Sequence, residues 1–144
     1  MKASLARRQK GAAAIEFVAV FMVFFAVFYG LVSYALPMLM LQSFNQAASE
    51  AVRRCVALEP GSAVDSYTTV ARQAIDRQLA WMPAALGFAA SKDAKVELSG
   101  TLLSVTIEYP RERLNNVLPV LVLPLIGEVP RLPALLQAKA SLQL

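Results

Sequence analysis

From Gly11 to Leu41 the chain is apolar at almost every position, and Glu16 is the one side chain in that run charged at neutral pH. Crossing the hydrocarbon core of a bilayer takes about 20 consecutive apolar residues, so the run predicts a membrane-spanning helix. From Ala12 to Leu36 alone it would extend about 37 Å at about 1.5 Å per residue. Gly30 and Pro37 lie in its outer half. Pro37 cannot donate to the carbonyl four residues back, which predicts either a bend near the outer membrane face or the end of the span. Tyr29, Ser33 and Tyr34 suit a helix contact or the interfacial aromatic belt.

Beyond Leu41 the pattern turns amphipathic. Phe44, Ala48, Ala51, Val52, Cys55 and Leu58 recur at three- and four-residue spacing among polar neighbours, so the same helix is expected to continue, with one face for a domain or neighbour, and to end at Glu59-Pro60-Gly61. A second helix is predicted from Ser62 to Met82. Ser62 and Asp65 resemble a capping box, and Pro83 is a stop. Its apolar face is Val64, Tyr67, Val70, Ala71, Ala74, Ile75, Leu79 and Met82.

The period then changes to two. Val96 and Leu98, a turn at Gly100, then Leu103, Val105, Ile107 and Tyr109 read as a β-hairpin. Ala138, Ala140, Leu142 and Leu144 alternate with polar residues and predict a third strand. Between them, residues 115–133 hold four of the eight prolines, and the apolar stretch from Val117 to Ile126 is broken at Pro119 and Pro124. It is too short to span and too apolar for a solvated loop. It is expected to form a loop or helical turn lying on the membrane surface, a neighbouring subunit or the domain's own core. The fold class is therefore α+β: a long N-terminal transmembrane helix continuing into a small extracytoplasmic domain of helix plus antiparallel sheet. Residues 1–11 form a basic leader, 12–41 the transmembrane helix and 42–144 the domain.

Charge fixes the orientation. Lys2, Arg7, Arg8 and Lys10 precede Gly11 with no acid among them, and the rest of the chain is balanced, so the net charge of +4 comes from the leader. The positive-inside rule then places the N-terminus in the cytoplasm and the domain outside. A nucleic-acid partner is not expected, because a binder would carry its basic stripe in the folded domain. The 144 residues include no histidine and one cysteine, Cys55. Histidine-based triads and cysteine metal clusters are thereby excluded, and no glycine-rich phosphate loop or EF-hand pattern occurs. No enzyme activity, catalytic residue, metal or cofactor is expected. Cys55 lies on the apolar stripe and reads as a small buried hydrophobe, with a reactive thiol as the alternative.

The head of the chain carries the remaining chemistry. A cleavable secretory signal has a shorter apolar region followed by small residues, whereas here Ala12 to Ala14 come at the start of the run. Arg7-Arg8 lacks the apolar residues that follow a twin-arginine pair. An acid at lipid depth is costly and wants a partner. Taken alone, Glu16 reads as a residue at the cytoplasmic interface, extended toward water and paired with Lys10 or Arg8.

The junction Lys10-Gly11-Ala12-Ala13-Ala14-Ile15-Glu16-Phe17 resembles the processing signal of class III prepilins. The whole layout resembles the TadE-like minor pilins, or pseudopilins, of the tight adherence (Flp pilus) machinery. That whole-chain likeness includes the alanine- and arginine-rich stretch from Ala47 to Arg54, the strand from Val105 to Pro110, the proline-rich segment and a final strand. Phe17 stands where the major Flp pilin commonly has tyrosine, and the major pilin is much shorter. The resemblance implies a pilin-like fold and cleavage by a prepilin peptidase between Gly11 and Ala12, with Glu16 as the fifth mature residue paired with an N-terminal amine and with Phe17 beside it in assembly. It further implies insertion in the inner membrane, with the domain in the periplasm or in an extracellular pilus. Its partners would be other pilin and minor pilin subunits and an inner-membrane assembly platform, in a type IV pilus serving adhesion and biofilm formation. The alternative is an unprocessed, signal-anchored periplasmic interaction subunit.

Overall fold

The computed structural model describes residues 5–123 and 127–144. The start of the expected leader, with Lys2, and residues 124–126 of the apolar segment, with Pro124 and Ile126, lie outside the described residues.

The fold is α+β, a long apolar helix followed by a small domain of helices and antiparallel sheet. Helix α1 runs from Leu5 to Cys55 without interruption, with Pro37 inside it. Pro37 therefore does not end the helix. Its ring is buried, and packing around that ring offsets the one hydrogen bond the helix forgoes. α1 has two kinds of surface. From Gly11 to Val32 no residue is buried. From Ser33 onward a stripe of Ser33, Pro37, Met40, Phe44, Ala47, Ala48, Ala51, Val52 and Cys55 is buried at the three- and four-residue spacing of one helix face. The helix stops four residues before the expected Glu59. Tight-turn bonds from Ala57 N–H to the Arg54 carbonyl (3.2 Å) and from Leu58 N–H to the Cys55 carbonyl (3.1 Å) close its last turn.

Helix α2, Val64–Gln78, is shorter than the expected Ser62–Met82, and no side chain caps it. The Ser62 hydroxyl donates back to the Glu59 carbonyl at 2.7 Å, so the capping box does not form. Tyr67, Ala71, Ala74 and Ile75 are its buried face, and Leu79 is buried just beyond it. Val64, at the exposed start, is not. A single turn of 3-10 helix at Ala84–Leu86 and a short helix α3, Ala90–Asp93, lead into the sheet.

Strands β1 (Ala94–Ser99) and β2 (Leu102–Pro110) form the expected hairpin, with Val96 opposite Val105. Gly100 turns it with φ of +63°, a conformation glycine adopts without steric cost. After helix α4, Arg111–Asn115, and a small two-stranded unit, β3 (Leu121–Leu123) and β4 (Gly127–Val129), strand β5 (Leu135–Gln143) pairs antiparallel with β2. The main sheet has the order β1-β2-β5. Leu103, Val105, Ile107 and Tyr109 of the central strand are fully buried, because both neighbours and the α1–α2 layer cover that face. On β5 the inward set fades: Leu136 and Ala138 are buried, whereas Leu142 and Leu144 are exposed.

Cys55 is buried, and its thiol donates to the Tyr67 carbonyl at 3.5 Å. The Tyr109 hydroxyl donates to the Leu86 carbonyl at 2.6 Å. Burial pushes both groups up from their ordinary values. Each therefore keeps its proton to higher pH in the folded chain than in the unfolded one. The folded state then binds more protons, and stability falls as pH rises through the unfolded thiol and phenol values of about 8.5 and about 10. Urea unfolding of the full chain in detergent is expected to show a lower midpoint near pH 10 than at neutrality, with a smaller alkaline loss in Tyr109→Phe.

Candidate assembly site on the anchor helix

The residues expected to form the site lie together near the start of α1, where the apolar run begins. Gly11, Ala12, Glu16 and Phe17 are all exposed, Phe17 at 70% and the adjacent Ile15 at 75%. A methyl group built on Gly11 would meet nothing within 4 Å, so packing does not require glycine there. Ala12 and Glu16 are four apart and share one helix face. Above them the aromatic rings form two ladders. Phe17, Phe21 and Phe25 stack at centroid distances of 6.2 Å, and Phe24 stacks on Phe28 at 6.1 Å. None of these rings is covered by the rest of the chain. The most apolar part of α1 is entirely unburied. A core helix of a water-soluble domain would have that surface covered. An apolar surface of this extent calls for lipid or other helices around it.

The upper end of this surface is organised by residues whose part the sequence did not reveal. The apolar segment expected to be a loop or helical turn is irregular from Val117 to Val120, as expected, but Leu121–Leu123 form strand β3 and pair with β4, Leu121 opposite Val129 and Leu123 opposite Gly127. A strand of three consecutive apolar residues has no alternation to mark it in the sequence. The hairpin is tied to the anchor, since the Tyr29 hydroxyl donates to the Pro119 carbonyl, and the Arg131 backbone N–H donates to the Tyr34 hydroxyl at 2.8 Å. Ser33, between them, donates to the Tyr29 carbonyl at 2.7 Å and is buried. Two tyrosines five residues apart at the end of an apolar run were the available signal, but nothing local in the sequence names their partners.

A second clasp holds the domain's far loops. The Asp93 carboxylate, with 3% of its side chain exposed, accepts from Arg113 Nη2 at 2.5 Å, from Arg113 Nη1 at 2.9 Å and from the Ala89 N–H at 2.9 Å. Arg113 Nη1 also donates to the Gly87 carbonyl at 2.8 Å, and the guanidinium lies 5.2 Å from the centre of the Tyr109 ring. The hydrogen bond to Asp93 pushes Arg113 still higher than its ordinary value. This arrangement leaves the carboxylate committed to structure. On the sheet's open face Lys95 pairs with Glu108 at 2.6 Å. Among the described residues no group of three Asp, Glu or Cys side chains is placed to hold a metal ion.

What the geometry offers is thus a bare apolar rod with a single acid near its start and a domain fastened to its other end. Neither a curated protein nor a solved structure matches the chain. Residues 11–53 match the family model described as TadE-like protein, so the part of α1 that begins at Gly11 and carries the exposed apolar surface and the first buried turns is TadE-like in sequence.

Proposed function

We propose that this chain is a minor pilin, or pseudopilin, of a tight adherence (Flp) pilus system, cleaved by a prepilin peptidase after Gly11 and acting without enzymatic turnover. The observation that carries this reading is the coincidence of the family match, which starts at Gly11, with the point in the sequence where the basic stretch ends and the long apolar run begins. In this reading residues 1–11 are the leader, 12–41 are the transmembrane helix, of which about the first 20 residues cross the hydrocarbon of the inner membrane, and 42–144 form a periplasmic domain. Gly11 lies within α1, and a peptidase needs its bond in extended form. Glycine makes local unwinding easier by about 1 kcal/mol relative to alanine.

Cleavage creates an amine at Ala12, one helical turn from Glu16. In a low-dielectric setting that amine, on the same or an adjacent molecule, satisfies the acid and fixes the axial stagger between neighbouring helices. The phenylalanine ladders, beginning at Phe17, supply the lateral contact. Glu16→Gln is expected to lower pilus formation and surface attachment at least about tenfold, the equivalent of about 1.4 kcal/mol in association, with the protein still present in the membrane. Wild-type levels of both, in cells that depend on this protein, would refute the pairing.

One observation favours a second reading. α1 is unbroken from Leu5 through Gly11, as in an unprocessed signal anchor whose domain binds a periplasmic partner. Mass spectrometry of the N-terminus of membrane-extracted protein separates the two: a mature chain starting at Ala12 supports the pilin reading, and a chain starting at Met1 or Lys2 the anchor.

A further inference from the structure

Strand β3 and the loop before it carry a surface the reading above does not use. No residue from 114 to 127 is charged. Val117 (41%), Val120 (37%), Leu121 (38%) and Val122 (72%) are nonetheless exposed. This surface continues into the anchor: Leu121 lines an open, almost wholly apolar cleft of ≈ 340 Å³ with Phe21, Phe25 and Tyr29 of α1.

The level of the cleft identifies what covers it. From Ala12 to Tyr29 the helix rises about 26 Å, against a hydrocarbon thickness of about 30 Å. Tyr29 therefore stands close to the hydrocarbon boundary on the domain's side, where tyrosine is favoured, and Leu121 stands beside it. An open sheet edge deep in the hydrocarbon would leave backbone groups unpaired. At the boundary between acyl chains and headgroups this cost falls, and here the strands pair with each other while Tyr29 serves the Pro119 carbonyl.

Resting on the membrane-spanning reading of α1, we propose that the exposed face of Val117, Val120, Leu121 and Val122, on β3 and just before it, is a second membrane contact: a wedge that enters the acyl-headgroup boundary of the leaflet on the domain's side. With the anchor it fixes the height and tilt of the domain. The occupant is lipid because the patch is continuous with the span, its β3 strand and the residues before it lack charge, and it lies at the boundary depth, where Glu128, opposite Val122 on β4, reaches the headgroups. A neighbouring copy on the same surface is the competing occupant.

The test uses the full chain in phosphatidylcholine–phosphatidylglycerol vesicles at low protein content. Trp81 is the single tryptophan. It follows the Gln78 end of α2, which shares a surface depression with Asn45, Glu50 and Arg53 of α1, above the proposed boundary. Wild-type Trp81 emission is expected to respond to aqueous acrylamide and not to lipids brominated on their acyl chains. In the double variant Trp81→Phe with Val122→Trp, emission is expected to shift to the blue and to fall by about half or more with lipid brominated near the headgroup, as for a ring about 5–10 Å into the interface. A third protein, Trp81→Phe with Val20→Trp, reads the span itself and is expected to be quenched by bromine deep in the bilayer.

Quenching of position 20 with no bromolipid response at position 122 overturns the wedge and leaves the span standing. If position 122 is shielded from both acrylamide and bromolipid, a neighbouring copy covers it, and the wedge is likewise overturned. Absence of quenching at position 20 overturns the span and the wedge together. Position 122 is exposed, so the substitution leaves the fold in place, which circular dichroism verifies.

Discussion

Cells producing Gly11→Leu are expected to accumulate the full-length chain, 11 residues longer than the mature form, with processing reduced from nearly complete to undetectable on an immunoblot. The expectation follows from the proposed peptidase step and from the local geometry together. Space around Gly11 is open, and α1 is helical on both sides of it, so a leucine there leaves the helix intact and strengthens it by about 1 kcal/mol. A loss of processing then reads the protease's need for a bare, easily unwound residue, rather than a folding defect. The uncut chain would keep its basic leader on the cytoplasmic side of the span. It would also lack the amine at Ala12, leaving Glu16 unanswered. Gly11→Leu should therefore reproduce the assembly loss of Glu16→Gln even though Glu16 is present. If the variant is processed like the wild type and its mature N-terminus is Ala12, the assignment of Gly11 fails.

The second large effect lies far from the membrane. Arg113→Ala is expected to destabilise the domain by about 3–5 kcal/mol, the range for breaking a buried ion pair by removing one partner. Asp93 is almost completely enclosed, and without Arg113 its carboxylate keeps the Ala89 N–H as its remaining hydrogen-bond donor among those found here. The same deletion frees the Gly87 carbonyl and uncovers the Tyr109 ring, so the loop after α2 and the end of β2 both lose a tie. The double variant Asp93→Asn with Arg113→Ala should recover part of the loss, because no buried charge is then left unpaired. Urea unfolding of the full chain in detergent, followed by circular dichroism, measures both. A loss below about 1 kcal/mol, typical of an exposed pair, would mean the carboxylate is reached by water.

Both effects bear on one division of labour. In the proposed role the helix from Gly11 to Val32 presents its surface to lipid and to other helices, and the domain must be held rigidly on the remaining half of α1 for that surface to set its position. The buried stripe from Ser33 to Cys55, the tyrosine ties to the hairpin and the Arg113–Asp93 clasp supply that rigidity at three different levels of the molecule.

The sequence alone determined whatever depends on local pattern. An apolar run of this length admits a spanning helix and little else. The alternation of Leu103, Val105, Ile107 and Tyr109 specifies a strand buried on one face, and the candidate assembly residues Gly11, Ala12, Glu16 and Phe17 could be proposed because they lie within a few consecutive positions. Tertiary structure decided the rest, because the competing local choices differ by little and packing between distant residues outweighs them. Helix α1 passes through Pro37 since the domain buries that ring. Ser62 turns back to Glu59 instead of capping α2, two local hydrogen bonds of similar strength between which the neighbouring chain chooses. Leu121–Leu123 becomes a strand because Gly127–Val129 comes to lie beside it and because Tyr29, some 90 residues away, holds the Pro119 carbonyl. Arg113 and Asp93, 20 residues apart, carry no pattern that joins them. Pairings of that kind have no period in the sequence, and the fold alone brings them within reach.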